Sequence, residues 1–331
     1  MGAMLEPARI HSPELPGLTW VNGTGPRRLA DLTGSAVLLE FLELTCLSCL
    51  RVLPYLRQWH AGYAPYGLEI LGIHTPQFAF GRQAAYVAQA ARRLGLRWPI
   101  ALDNDQGLWT GHAVNAWPTS VLIDPAGYIR LKHIGESDYA QTEAGIRQLL
   151  SEAGNWPNEA LPLTDLAAEH RPGARCYPVT PELHAESLGN PAAAGDVYLP
   201  PPDRRPGSYY LEGRWQVLDQ VAISQDAGAR IYLPYQAADV YAVLDDLAAG
   251  AGPLEVRLRQ SGQPLPPANF GADVALHRDQ AVLRLDGPRL YHLVKQPAPA
   301  AAELVLEADN PAMALYAFTF GSCLLPTEPV A

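Results

Sequence analysis

Residues 36–56 read AVLLEFLELTCLSCLRVLPYL. A run rich in Val and Leu, broken by Glu40, stops at Cys46-Leu47-Ser48-Cys49 and gives way to Leu50, Leu53 and Leu56 at helical spacing. The pattern predicts a buried strand that delivers two thiols to a helix start. Cys46 is then expected in the first turn, where unpaired backbone N–H groups and the helix dipole favour a thiolate. Cys49 lies on the same helix face, placed to attack a mixed disulfide formed at Cys46. In this reading Cys46 is the nucleophile and Cys49 the resolving thiol.

The same spacing supplies half of a zinc site, but zinc needs a second ligand pair. The other two cysteines, Cys176 and Cys323, are isolated, and none of the nine histidines forms a ligand spacing with them. Redox chemistry with no metal or other cofactor is therefore expected. A purely structural 46–49 bridge is the main alternative.

Several separate positions between 36 and 152 resemble a thioredoxin-fold domain of the secreted or membrane-anchored type. Glu40, six residues before Cys46, falls where that family carries a buried carboxylate that relays the proton of the resolving thiol. Pro54 falls where the family kinks its active-site helix. Trp117-Pro118-Thr119 matches the cis-proline loop, so the resemblance implies that Pro118 packs against the disulfide and that Trp117 and Thr119 help hold the substrate backbone.

GIHTPQFAF (72–80), ALDNDQGLW (101–109), LIDPAGYIR (122–130) and GESDYAQTEAGIRQLL (135–150) narrow this likeness. They resemble the soluble half of DipZ-type proteins, which join a thioredoxin-like domain to a module likened to carbohydrate-binding domains. The resemblance implies disulfide-bearing protein substrates and a CcdA-type membrane electron donor. The stretch before Cys46 departs from the family pattern: Leu42, Glu43, Leu44 and Thr45 stand where aromatic or small polar residues are usual, and Leu47-Ser48 lacks the inter-cysteine proline. Both departures fall where they tune thiol acidity and reduction potential, and Glu43 works against a thiolate.

The 331 residues suit two domains. Residues 1–154 form the thioredoxin-like domain. LEILGIHT (68–75) and WPIALDND (98–105) read as strands, and AAYVAQAARRLGL (84–96) as a helix. SVLIDPAGYIRLKHIG (120–135) reads as a hairpin turning at Asp124–Gly127, and the closing helix ends near Gly154. The strand and helix between Cys46 and Pro118 exceed a minimal thioredoxin, as in peroxiredoxin-like and cytochrome-maturation members. A thiol peroxidase is disfavoured because the Pro-x3-Thr-x2-Cys arrangement is missing and Thr45 is adjacent to Cys46. Asp103, Asn104 and Asp105 read as a turn rather than a calcium loop, and His74 and His133 receive no role.

Residues 155–182 contain five prolines and little periodicity, which suggests a linker or a tether packed on one domain. From 183 to 331, short alternating runs separated by Gly and Pro predict a jelly-roll-like β-sandwich. Its likeness to the DipZ carboxy-terminal module is clearest at LEGRWQVLDQVAI, RLYHLV and ALYAFTFG. Tyr209, Tyr210, Trp215, Tyr232, Tyr235 and Tyr241 are candidates for stacking on a saccharide, against a core or docking role. Cys176 and Cys323 flank this domain, and a structural disulfide between them would contribute roughly 3 to 5 kcal/mol. The alternative is two buried free thiols.

The net charge of −10, without a basic run, argues against nucleic acid. No apolar run approaches the length of a membrane helix, and no secretory leader is evident. Residues 1–4, MGAM, read as a cloning remnant. The expectation is an extracytoplasmic protein, periplasmic, cell-surface or membrane-tethered, with a cytoplasmic one as the alternative. A secreted saccharide- or protein-binding protein on a non-catalytic thioredoxin scaffold is the second functional reading.

Overall fold

The computed structural model describes residues 10–15, 17–136, 138–156, 175–176, 178–248, 253–321 and 323–324, with backbone only at 175–176 and 323–324. The chain divides into two compact units, Met1–Leu166 and Ala167–Ala331. Most of the expected linker lies outside the described residues. At its end Thr180 is buried, and it exchanges hydrogen bonds with the Gln236 backbone at 3.0 and 2.8 Å.

The first unit is a six-stranded sheet with helices. In chain order it runs β1 (Thr19–Val21), β2 (Ala36–Leu42), α1 (Leu47–Tyr63), β3 (Leu68–His74), α2 (Ala84–Arg93), β4 (Ile100–Leu102), α3 (Gly107–Gly111), β5 (Thr119–Ile123), β6 (Ile129–Ile134) and α4 (Tyr139–Glu152). The sheet order is β1-β4-β3-β2-β5-β6, with β2, β3 and β4 parallel and the rest antiparallel. Every residue of β2 is buried, as a continuous apolar run requires of a central strand covered on both faces. Strand alternation sends Val37, Leu39 and Phe41 into a core with Ile73, Val121 and Leu108, and leaves Leu38, Glu40 and Leu42 on the opposite face.

Helix α1 buries Cys49, Val52, Leu53, Leu56, Trp59 and Tyr63, the stripe that helical periodicity sets, and carries Pro54 inside it. Tyr55 of α1 stacks on Tyr139 of α4 with ring centroids 3.9 Å apart, and the Tyr63 hydroxyl donates to Glu143. These two contacts tie the middle and the C-terminal end of α1 to the closing helix. The hairpin between β5 and β6 turns where the sequence predicts, with Gly127 at φ 88° and Asp124 Oδ1 accepting the Ala126 and Tyr128 N–H groups.

The second unit is antiparallel throughout its described strands. These are β7 (Arg175–Cys176), β8 (Ala192–Ala194), β9 (Val197–Tyr198), β10 (Tyr210–Leu218), β11 (Val221–Ser224), β12 (Arg230–Asp246), β13 (Leu254–Gln260), β14 (Gln263–Pro264), β15 (Val274–His277), β16 (Gln280–Leu285), β17 (Arg289–Ala308), β18 (Met313–Gly321) and β19 (Cys323–Leu324). One edge of β12 follows β17 along its length. Its other edge pairs first with β10 and then with β18. Because β10 also pairs β11 and β11 pairs β18, the circuit closes and the sheet curls into a barrel-like form around its core.

The short alternating runs are not all separate strands. Residues 229–235 (ARIYLPY) and 239–245 (DVYAVLD) join in β12, and residues 289–294 (RLYHLV) and 302–308 (AELVLEA) join in β17. Pro297 and Pro299 do not end β17. They fall in a bulge between Lys295, opposite Asp239, and Ala300, opposite Ala237, where no ladder hydrogen bond is lost to them.

Gly271 lies against the β17 backbone and donates its N–H to Leu293 O. A Cβ there would meet His292 O at 2.2 Å and Leu293 C at 2.7 Å, both backbone atoms. Gly271→Ala therefore has to displace β17, and an equilibrium denaturant titration is expected to show about 1–3 kcal/mol of lost stability. An unchanged midpoint would mean that this close approach is not maintained.

Strands β7 and β19 pair with Cys176 directly opposite Cys323 in backbone register. The side chains of both, and hence the expected bridge, lie outside the described residues.

Candidate active site

Strand β2 ends at Leu42, and the chain crosses Glu43-Leu44-Thr45 before α1 begins. Cys46 is the N-cap of α1, one position earlier than first-turn placement. Its Sγ accepts the Cys49 N–H at 3.2 Å, taking one of the donors that every helix start leaves unpaired. The two sulfurs lie 2.7 Å apart as free thiols. Cys46 is partly exposed, whereas Cys49 is 1% exposed. An incoming disulfide can therefore reach Cys46 and not Cys49.

Burial pushes the Cys49 thiol well above its ordinary value, and the Cys46 sulfur and the nearby Glu43 charge push it further. The Glu43 backbone N–H opposes this by donating to Cys49 Sγ at 3.4 Å. Ahead of Cys46, Glu43 Oε2 accepts the Thr45 N–H at 2.6 Å and the Thr45 hydroxyl at 2.5 Å. Glu43 and Thr45 are both buried.

Glu40 is fully buried in β2, and its Oε2 accepts the Ser120 hydroxyl at 2.6 Å. Its Oε1 makes no hydrogen bond among the described residues. Burial pushes the carboxyl up to about 8, with the Ser120 bond opposing. Glu40 and Ser120 are register partners across β2 and β5. The same register pairs Phe41 with Thr119, so Pro118 comes at the sheet edge from which the Cys46 loop departs.

The Trp117–Pro118 peptide is cis. Pro118 O accepts the Gly135 N–H at 2.8 Å. Thr119, expected at the substrate face, is fully buried, and its hydroxyl donates to Ala116 O at 2.7 Å. Its side chain thus shapes the loop from inside. Trp117 is partly exposed and packs on Trp109 at 4.8 Å between ring centroids.

Trp109 is placed by a network the sequence does not announce. Asp103, at the end of β4, accepts the Leu108 and Trp109 N–H groups at 3.0 and 2.9 Å and the Thr75 hydroxyl at 3.3 Å. Thr75 in turn donates its N–H to Leu42 O at the end of β2. The carboxyl ends of the three parallel strands thereby brace the thiol loop and the tryptophan beside the proline. His74 is fully buried, pushed down to about 4 by burial, with Nε2 at 3.0 Å from Gly81 O. His133 of β6 faces Asp138 at 3.9 Å.

In the second unit, Tyr209, Tyr210, Trp215 and Tyr235 are buried and belong to the interior rather than to an exposed stacking platform. Tyr209, Trp215 and Tyr235 lie in the main core of the unit, whereas Tyr210 packs apart from it against Gly189, with its hydroxyl accepting the Arg205 N–H at 3.0 Å. Tyr232 and Tyr241 remain partly exposed. Arg204 covers the Tyr232 ring at 4.5 Å, and His292 stacks on Tyr241 at 4.2 Å.

Residues 13–132 match the AhpC/TSA family, and residues 184–321 match the family described as thioredoxin like C-terminal domain. The chain is 32% identical to protein DipZ of Mycobacterium tuberculosis (strain CDC 1551 / Oshkosh) over 321 residues, which cover 94% of this chain and 43% of DipZ. It is 34% identical to human NHL repeat-containing protein 2 over 127 residues, 38% of this chain and 18% of that protein. Over 121 residues it is 29% identical to thiol-disulfide oxidoreductase ResA of Bacillus anthracis, 37% of this chain and 67% of ResA. The chain thus spans less than half the length of DipZ. The DipZ-type resemblance extends across both units, an AhpC/TSA-family thioredoxin-fold region followed by a thioredoxin like C-terminal domain.

Proposed function

We propose that the chain is a thiol-disulfide oxidoreductase that donates electrons to protein disulfides. The observation that carries this reading is the pairing of an exposed, helix-capping Cys46 with a buried Cys49 2.7 Å away. Cys46 thiolate attacks one sulfur of the substrate disulfide, and the other substrate sulfur leaves as a thiolate and takes a proton. Cys49 then loses its proton and attacks Cys46 Sγ, releasing the second substrate thiol. Two protein thiols become one disulfide, and one substrate disulfide becomes two thiols.

Glu40, whose carboxyl burial pushes up to about 8, serves this second step in its ionised form as the proton acceptor, directly or through water. The cis-Pro118 loop, with Trp117 partly exposed beside it, aligns the substrate backbone. The direction is taken from the DipZ and ResA likeness. Strong oxidants stabilise their reduced, thiolate form. Burial and Glu43 act against the Cys49 thiolate, so Cys49 supplies no such stabilisation here.

A thiol peroxidase is the reading that the AhpC/TSA match brings forward. It is disfavoured by Thr45, whose hydroxyl is committed to Glu43 rather than free to position a peroxide. An extracytoplasmic address and a CcdA-type membrane donor complete the proposal, on the DipZ and ResA likeness. No helix among the described residues is long and apolar enough to cross a membrane. Saccharide binding by the second unit remains a proposal reduced to Tyr232 and Tyr241, the two candidates left partly exposed.

The test mixes the fully reduced chain with insulin or hydrogen peroxide and counts the thiols remaining on the chain itself by alkylation and mass spectrometry. Insulin reduction with slow peroxide consumption is expected. Rapid peroxide consumption with inert insulin would reverse the assignment. Inertness toward both, with intact folding, would support the scaffold reading.

A further inference from the structure

The thioredoxin-type likeness accounts for the acid in β2, but not for a second buried acid in the loop between β2 and Cys46. Glu43 is fully buried and touches both halves of the thiol pair's support. Through its carboxylate it accepts the Thr45 N–H and hydroxyl, fixing the residue just before Cys46. Through its backbone it donates to Cys49 Sγ and accepts the Cys46 N–H at 3.3 Å. Two short hydrogen bonds favour the charged form of this carboxylate and oppose the burial that disfavours it.

We infer that Glu43 is a positioning residue that holds the thiol loop in shape and, by its fixed negative charge, delays attack by Cys49 on the mixed disulfide. The inference rests on the exchange chemistry proposed above. Its consequence is a longer-lived mixed disulfide at Cys46, which gives a protein partner time to dock before release. Thr45 provides the counterpart that keeps this charge hydrogen-bonded without neutralising it.

Other ionisable groups bearing on the region are few among the described residues. Cys46 shares the helix start with Cys49 and raises its thiol further. Glu40 is on β2, bonded to Ser120 of β5, and acts with Glu136, Tyr55 and Arg51 on Tyr139 of α4. Arg51 of α1 meets Glu136 at 3.5 Å. His74, at the end of β3, is neutral over the working range. Of these, Glu43 and Cys46 are the groups acting on Cys49 itself.

The experiment loads Cys46 with glutathione as a mixed disulfide and follows glutathione release by ring closure from pH 5 upward until the rate levels off. It uses the full chain and compares it with Glu43→Gln and Thr45→Val. The first substitution keeps an amide oxygen for both Thr45 donors and loses the charge, whereas the second keeps the charge and one donor. Glu43→Gln is expected to release glutathione at least about threefold faster at pH 7, with the midpoint of the pH profile moved down. The larger thiolate fraction is partly offset by the weaker nucleophilicity of a more acidic thiol.

Thr45→Val is expected to leave the midpoint in place or move it up. A merely structural Glu43 would change the rate at every pH equally, and an unmoved midpoint in Glu43→Gln overturns the inference. If Glu43→Gln does not fold, a downward midpoint in Thr45→Val overturns it instead. Wild type that releases no glutathione at any pH would sink the exchange chemistry and not this inference alone.

Discussion

Cys46→Ser is expected to lower disulfide reduction on the order of a thousandfold or more, because it removes the sulfur an incoming disulfide can reach. Cys49→Ser is expected to behave differently. Cys46 still attacks, but nothing buried behind it completes the exchange, so substrate accumulates as a mixed disulfide. Intact mass spectrometry after mixing with a disulfide peptide reads both results directly. One substrate adduct per chain on Cys49→Ser, located at Cys46, and none on Cys46→Ser supports the division of roles. The reverse pattern would exchange nucleophile and resolving thiol. The difference in exposure between the sulfurs makes that outcome incompatible with the geometry.

The second large effect concerns Glu40 and stability. Its carboxyl titrates near 8 in the fold against an ordinary value of 4.5. Below about pH 4.5 both folded and unfolded chains hold the proton, and the group costs nothing. As pH rises from there to about 8, the unfolded chain ionises while the folded one does not, so stability falls. Above about 8 the cost is constant. Glu40→Gln removes this dependence and keeps an acceptor for the Ser120 hydroxyl. With the dithiol kept reduced, denaturant titrations are expected to show the variant equal to wild type near pH 4. Near pH 7 it should be more stable by on the order of 3 kcal/mol. The same change is expected to slow release of the mixed disulfide. A stability difference that does not vary with pH would mean that Glu40 is ordinarily ionised in the fold.

Much of the first unit was legible because its central strand is buried on both faces. Such a strand is written as an unbroken apolar run, and a single Glu40 inside it stands out. The cysteine pair and Pro118 were equally plain. Thr119 was harder, since neighbours in a strand alternate faces and the sequence does not say which face meets a substrate. Glu43 could be read as a nearby charge, but its clamp on Thr45 depends on how the loop folds back. Asp103 looked like a turn residue, and its grip on Trp109 exists only once β4 and α3 are placed.

The second unit was legible as all-β from its alternation and turn residues. Its long strands were not, because Pro297 and Pro299 normally end strands and here fit inside a bulge. A covering segment, not visible in the strand pattern, also defeated the aromatic reading: Tyr210 packs against Gly189 and the Arg205 backbone. Tyr209 and Tyr210 are adjacent and should face opposite ways, yet both are buried.

The most direct test equilibrates the protein with a series of reduced and oxidised glutathione mixtures and reads Cys46 and Cys49 by thiol alkylation and mass spectrometry, with Cys46→Ser as control. The expected result is one reversible two-electron transition of the pair, with a midpoint near or below about −250 mV. A midpoint between roughly −120 and −180 mV would contradict the electron-donating direction. A pair that stays in one state across the whole series would contradict the central claim that these two thiols are the working centre of the protein.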